Sequence, residues 1–203
     1  NICLASLPLA LAGLIEDFGQ KTPPTLRLLC GLLAAIIATI SNGIWLTKID
    51  VPLFDALLAY QPFALCFTLL LSAALPHAFN LIDGLDGLCS GLMAVAILGL
   101  HYLATINGFD NFQQISFPLF GCLLGFCVIN MLTGRIFLGD TGAYGISFLI
   151  GCLAIWLLKD YNNVSAWTVL TLVGYPTIDL LITVFRRLIG IKPIFGPDNL
   201  HLH

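Results

Sequence analysis

The sequence predicts an all-α polytopic membrane protein, a bundle of about seven transmembrane helices whose connections on one side form a site. Three observations carry this. The chain of 203 residues is 59% hydrophobic and 9% charged, with a mean hydropathy of +0.98, whereas a water-soluble domain carries about 25% charged residues. Apolar runs approaching the roughly 20 residues that cross a bilayer recur along its length. The acids and glycines between those runs are gathered in short, motif-like connections.

The first run, 1–15, begins without an initiator Met or the basic region of a signal peptide. The chain also ends at His203 in the middle of a polar motif, so a fragment truncated at both termini is expected. Runs 26–46, 61–79, 89–106 and 114–132 follow as spans. Run 143–158 is short and Gly-rich, so a tilted or partly irregular helix is expected there, and 165–185 completes the set. The seven cysteines lack any C-x-x-C spacing and read as small buried apolar side chains, not as disulfides or metal ligands.

Alternation of these spans puts 16–25, 80–88, 133–142 and the tail 186–203 on one side of the membrane. Lys21, Arg27, Arg135, Arg186, Arg187 and Lys192 fall on that side, and Lys48 and Lys159 on the other. Basic residues accumulate in cytoplasmic connections, so the first side is expected to be cytoplasmic. Trp45, Tyr60, Tyr161 and Trp167 lie near the opposite ends, as an interfacial aromatic belt would.

Four patches on the first side could carry chemistry. Asn80, Asp83 and Asp86 recur every third residue in Asn80-Leu-Ile-Asp83-Gly-Leu-Asp86-Gly87. A helical turn would align them as hard-oxygen ligands for a divalent cation. Glu16-Asp17 is a carboxylate pair at a span end, able to supply a base or a ligand. The stretch from Asn130 to Gly142 offers Asp140 to a metal, Arg135 to a phosphate and Phe137 to a stacked base. The tail offers Asp198 and the His201-Leu-His203 pair. Each patch alone also reads as an ordinary turn, helix end or positive flank. Together, on one face of one membrane, they describe a site for phosphates in which Mg²⁺ offsets the repulsion between acids and diphosphate. Asp179, inside the last span and seven residues from Arg186, reads as a structural acid, and His77 and His101 receive no role.

The four patches, in this order, resemble the polyprenyl-phosphate N-acetylhexosamine-1-phosphate transferase family, also called glycosyltransferase family 4. The matching stretches are Glu16-Asp17 with Thr25-Leu-Arg27-Leu, Asn80 to Leu88, Phe137-Leu-Gly-Asp140-Thr-Gly142, and Pro193 to Asp198 leading into His201-Leu-His203. The resemblance implies a single transmembrane catalytic domain over 1–203. It would move a sugar-1-phosphate, an N-acetylhexosamine-1-phosphate, from a UDP-sugar to a polyprenyl (undecaprenyl) phosphate in the bacterial inner membrane, with release of UMP. It implies Asp17 and Asp83 as catalytic acids, Asp17 acting as base. Asp86 and Asp140 would be ligands of Mg²⁺, or Mn²⁺ in its place. Asn80, Asn130, Arg135, Phe137, His201 and His203 would contact substrate. Partners expected are the UDP-sugar, the lipid acceptor, the bilayer and a second copy of the chain, with no nucleic acid. Glu16 stands where the family carries an Asp, and Gln20 where some members carry Lys. The competing readings are an ion- or proton-coupled transporter and an intramembrane aspartyl protease, the latter from Leu138-Gly139-Asp140.

Overall fold

A computed structural model describes residues 2–20, 22–161 and 163–189. Among them every regular element is a helix: α1 (Ile2–Ala5), α2 (Leu7–Asp17), α3 (Pro24–Asn42), α4 (Pro52–Leu58), α5 (Gln61–Leu81), α6 (Leu88–Ile106), α7 (Asp110–Thr133), α8 (Gly139–Asp160), α9 (Ala166–Leu172) and α10 (Gly174–Ile189). Helices α3, α5, α6, α7 and α8 are long and apolar enough to cross a membrane, and α9 with α10 makes a sixth span if the bent pair is counted as one. The chain is therefore a multi-pass membrane protein, with five or six such spans among the described residues where about seven were expected.

The shortfall lies in the first run, which is two short helices. Ser6 turns its hydroxyl onto the Cys3 carbonyl at 2.8 Å, and Pro8 has no N–H with which to continue the ladder. The last run also differs from expectation. It bends by 82° between α9 and α10, where Gly174 is followed by Pro176, whose ring removes another backbone donor. Alternation alone therefore does not carry the tail back to the first side.

Run 143–158 departs from expectation in the other direction. It is the regular helix α8, 22 residues long, or about 33 Å at 1.5 Å per residue. It is also the most buried span. Its glycines serve packing: a Cβ on Gly145 would meet the Cβ of Ala10 at 3.4 Å, and one on Gly151 would meet Leu75 at 3.0 Å. Association of helices in lipid depends on such close contact, because lipid tails are as apolar as the side chains. One face of α8 joins Leu9, Ala34, Ala35 and Ala38 of α2 and α3 through Tyr144 and Phe148. Its other face joins Phe79, Met93 and Ile97 of α5 and α6 through Ile150 and Leu153. The seven cysteines are unpaired as expected, but Cys3, Cys66 and Cys122 face outward.

Far from the acids, at the opposite end of the bundle, polar groups close the connections. Lys159 donates to the Gly43 carbonyl and lies 5.1 Å from the centre of the Trp45 ring. Asp50 accepts from the Ser165 hydroxyl at 2.7 Å and the Ala166 amide at 2.8 Å, at the start of α9. Tyr161 lies against Phe109, with ring centres 5.1 Å apart and planes tilted by 45°.

Candidate active site

Four helix ends meet at the first side. Helix α2 delivers Glu16 and Asp17, α3 delivers Arg27, α5 delivers Asn80, and α8 begins with Gly139 and Asp140. The approach of α2 to α8 is at backbone distance, since a Cβ on Gly13 would lie 2.6 Å from the Asp140 carbonyl and the Thr141 nitrogen. Gly139 adopts φ +69°, and a side chain there would press on Asp17 at 2.9 Å.

Asp17 is spent on that junction. Its carboxylate accepts from the Asp140 amide (2.8 Å), the Thr141 amide (3.0 Å) and the Thr141 hydroxyl (2.6 Å), so it caps the electropositive N-terminus of α8. Burial pushes its carboxyl up, but the hydrogen bonds from Thr141 and Asp140 outweigh this and hold it below the usual carboxylate range.

A second set of bonds runs from the first motif to Asp140. Glu16 accepts from Thr22 at 2.8 Å and pairs with Arg27 at 3.1 Å. Arg27 donates to the Tyr144 hydroxyl at 3.1 Å, Tyr144 donates to Asn80 Oδ1 at 3.1 Å, and Asn80 Nδ2 donates to Asp140 Oδ1 at 2.5 Å. Asn80 and Asp140, 60 positions apart, are thus brought together. Arg27 and Tyr144 were not expected as site residues. Tyr144 carried a signal, because it stands one helical turn beyond Asp140 on the same face.

Asp86 has its own amide. Asn130, 4% exposed, donates to Asp86 Oδ1 at 3.2 Å and to the Ile136 carbonyl at 2.5 Å, and accepts the Gly87 amide. Both of its N–H donors are consumed in tying the 82–87 loop to the 134–138 loop. Asn130 thus clasps the two loops together, and Asn80 faces Asp140. Arg135 and Phe137 do stand out from the protein, Phe137 with 72% of its surface exposed, as a ring free to stack on a ligand and not one sunk in the core. Asp179 is buried within α10. Lys21, Lys192, Asp198, His201 and His203 lie outside the described residues.

Asp83 is half-buried in the loop between α5 and α6. Burial pushes its carboxyl up to about 6, and the charges of Asp140 and Asp17 push in the same direction. Among the described residues no three His, Cys, Asp or Glu side chains converge as a protein-only metal cage. Mg²⁺ does not require one, since it takes one or two carboxylates and completes its shell with water and phosphate oxygens. Acids that raise one another's proton affinity create a field that a divalent cation relieves. In donor chemistry, carboxylate oxygens such as these suit a hard divalent cation such as Mg²⁺ or Mn²⁺.

The fold and site define a multi-pass membrane protein with carboxylates, one buried and one half-buried amide, and an exposed aromatic ring at one end of its bundle. Residues 1–158 match the family model described as Glycosyl transferase family 4, and the chain belongs to that family. A relative in Bacillus subtilis (strain 168), the "Probable undecaprenyl-phosphate N-acetylglucosaminyl 1-phosphate transferase", is 27% identical over 205 residues, covering 100% of this chain and 56% of the relative. The "Undecaprenyl-phosphate alpha-N-acetylglucosaminyl 1-phosphate transferase" of Escherichia coli (strain K12) is 28% identical over 218 residues, covering 98% and 57%. The protein of that name in Yersinia pestis is 29% identical over 216 residues, covering 97% and 57%. The chain thus spans a little over half the length of these curated relatives.

Proposed function

We propose that the protein transfers a sugar-1-phosphate from a UDP-sugar to a membrane polyprenyl phosphate, giving a polyprenyl-diphosphate-sugar and UMP. The observation that carries this is the 2.5 Å bond from Asn80 to Asp140, which joins the 80–87 and 137–142 motifs at one place beside the lipid. The names of the relatives support undecaprenyl phosphate as acceptor and N-acetylglucosamine-1-phosphate as the group moved. Membership of a glycosyl transferase family favours this reading over transport and proteolysis.

The acceptor's phosphate oxygen bonds to the donor's β-phosphorus, and the bond from that phosphorus to the oxygen of UMP breaks. Asp83, with its carboxyl near 6, is suited to take the acceptor's proton, because a base works best with a pKa close to the working pH. Asp17 serves by holding the first turn of α8, in place of the role as base that the resemblance implies. Asp86 and Asp140 would hold Mg²⁺, which when bound polarises phosphoryl oxygens and offsets their charge. Phe137 offers a face to uracil and Arg135 a cation to phosphate. His201 and His203 complete the donor site by resemblance.

We place this end in the cytoplasm of a bacterial inner membrane. Arg27 and Arg135 stand at it, while Lys48 and Lys159 stand at the opposite end with Asp50 and Gly43. In this arrangement α1 and α2 belong to a seventh crossing that ends at Asp17. The test is UDP-N-acetylglucosamine carrying ³²P in its β-phosphate, incubated with the protein and undecaprenyl phosphate. Label in the lipid product is the expected result. Sugar moving to lipid without the label contradicts the proposal.

A further inference from the structure

The direction of the hydrogen bonds from Arg27 to Asp140 is set by the donor count of each group. A guanidinium only donates, so the Tyr144 oxygen must accept from Arg27. The single phenolic hydrogen is then left for Asn80, which must offer its carbonyl oxygen to receive it. With Oδ1 turned to Tyr144, the amide's NH₂ points at Asp140. The Asp140 carboxylate, which only accepts, favours the same orientation of the Asn80 amide from the other side. The opposite orientation would set an oxygen against the carboxylate.

Tyr144 is also built in firmly. It is 1% exposed, among the largest fully buried side chains, and its ring meets the edge of His77 at 5.4 Å. A buried phenol needs a partner for its hydroxyl, and here it has two. Glu16 anchors the far end by pairing with Arg27 at 3.1 Å.

We propose that Tyr144 is a positioning residue for cation binding: its hydroxyl, oriented by Arg27, fixes the Asn80 amide so that it donates to one oxygen of Asp140 and aims the other at the ligand. This rests on the proposed reading of Asp140 as a ligand of the divalent cation. It goes beyond that reading in assigning the geometry of the acid to a residue that touches neither substrate nor metal. Partners that orient a ligating group are commonly worth about 10-fold or more in metal affinity.

The test uses the intact protein in detergent, with Mn²⁺ binding followed by electron paramagnetic resonance and, in parallel, the Mg²⁺ concentration for half-maximal UMP release. Tyr144→Phe should weaken Mn²⁺ binding and raise the Mg²⁺ requirement by about 10-fold, with KM for the UDP-sugar unchanged. In an Asn80→Ala background Tyr144→Phe should add nothing further, because its effect passes through Asn80. Arg27→Gln, which can accept as well as donate, should reproduce the weakening without disturbing the Tyr144 ring. Arg27→Lys, still donor-only, should retain most of the affinity. Wild-type cation binding in Tyr144→Phe and Arg27→Gln overturns the inference, as does an undiminished effect of Tyr144→Phe in the Asn80→Ala background. Absence of Mn²⁺ binding and of cation dependence in the wild type overturns the reading of the site and this inference with it.

Discussion

The carboxylate of Asp17 accepts the backbone amide of Asp140 at 2.8 Å, so the last residue of one helix holds the first turn of another across 123 positions of sequence. A negative group at a helix N-terminus satisfies donors that have no partner inside the helix. Asp17→Ala should therefore loosen the start of α8 and lower stability by about 0.5–2 kcal/mol, as loss of a capping side chain does. Asp17 has a depressed folded-state pKa. Its contribution is complete above the ordinary carboxylate value of 3.8 and fades as pH falls through the lower folded-state value. Thermal unfolding in detergent at pH 7 and at pH 3 measures both parts: the gap between wild type and variant should be narrower at the second than at the first.

The same junction makes Gly13 intolerant of any side chain. Its Cβ would lie 2.6 Å from backbone atoms of Asp140 and Thr141, which cannot rotate away. Gly13→Ala should cost about 1–3 kcal/mol, the range for overpacking, and should reduce turnover by displacing Asp140. Gly121→Ala is the comparison, since a Cβ on Gly121 meets nothing within 4 Å. It should leave the unfolding temperature unchanged or slightly raised.

Much of this arrangement could be read from the sequence, and what could not has physical causes. Hydropathy located the spans and put Asp17, Asp83, Asp86 and Asp140 at one end. It could not show the 82° bend between α9 and α10, because proline inside a membrane helix is often tolerated without a break. Glycines in 143–158 suggested irregularity, yet they are small residues letting Ala10 and Leu75 approach a straight helix. The bonds from Arg27 through Tyr144 to Asn80 join residues up to 117 positions apart; spacing puts Tyr144 one turn beyond Asp140 but does not announce an arginine on another helix. Asn130 was expected as a substrate contact only through the resemblance. Its partners include the backbone of Gly87 and Ile136, which side-chain identity does not announce.

Asn130→Ala should release that clasp. It leaves the Gly87 amide and the Ile136 carbonyl without their partner, and a lost hydrogen bond of partly exposed groups costs about 0.5–1.5 kcal/mol. The 134–138 loop should become cleavable at protease concentrations that spare the wild type, and Mn²⁺ affinity should fall because Asp86 loses its donor at 3.2 Å.

Asp83 predicts a pH effect of opposite sign to that of Asp17. Its carboxyl is raised from 3.8 to about 6 by burial and by the charges of Asp140 and Asp17, so the folded state holds its proton longer than the unfolded state does. Stability should fall as pH rises from about 4 to about 6 and then level off. With EDTA present, Asp83→Asn should remove that fall and be the more stable protein above pH 6. The gain is on the order of 1 kcal/mol once partial exposure to solvent is allowed for. Chemical denaturation of both proteins at pH 4 and pH 7.5 reads it directly.

The proposed orientation is tested by a cysteine at Gly84, which lies exposed in the loop between α5 and α6. In a background without the outward-facing Cys3, Cys66 and Cys122, an impermeant maleimide added to sealed cells should fail to label Gly84→Cys. It should label Thr47→Cys at the opposite end of the bundle. Labelling at residue 84 from outside would invert the topology.

The most direct measurement of the central claim is the nucleotide released when the intact purified protein meets UDP-N-acetylglucosamine with and without undecaprenyl phosphate. Transfer of a sugar-1-phosphate predicts UMP, formed only when the lipid is present and lost when Asp140→Asn replaces the wild type. Release of UDP would instead mean that the sugar moves without its phosphate. That result, or UMP formation indifferent to both lipid and Asp140, would contradict the account.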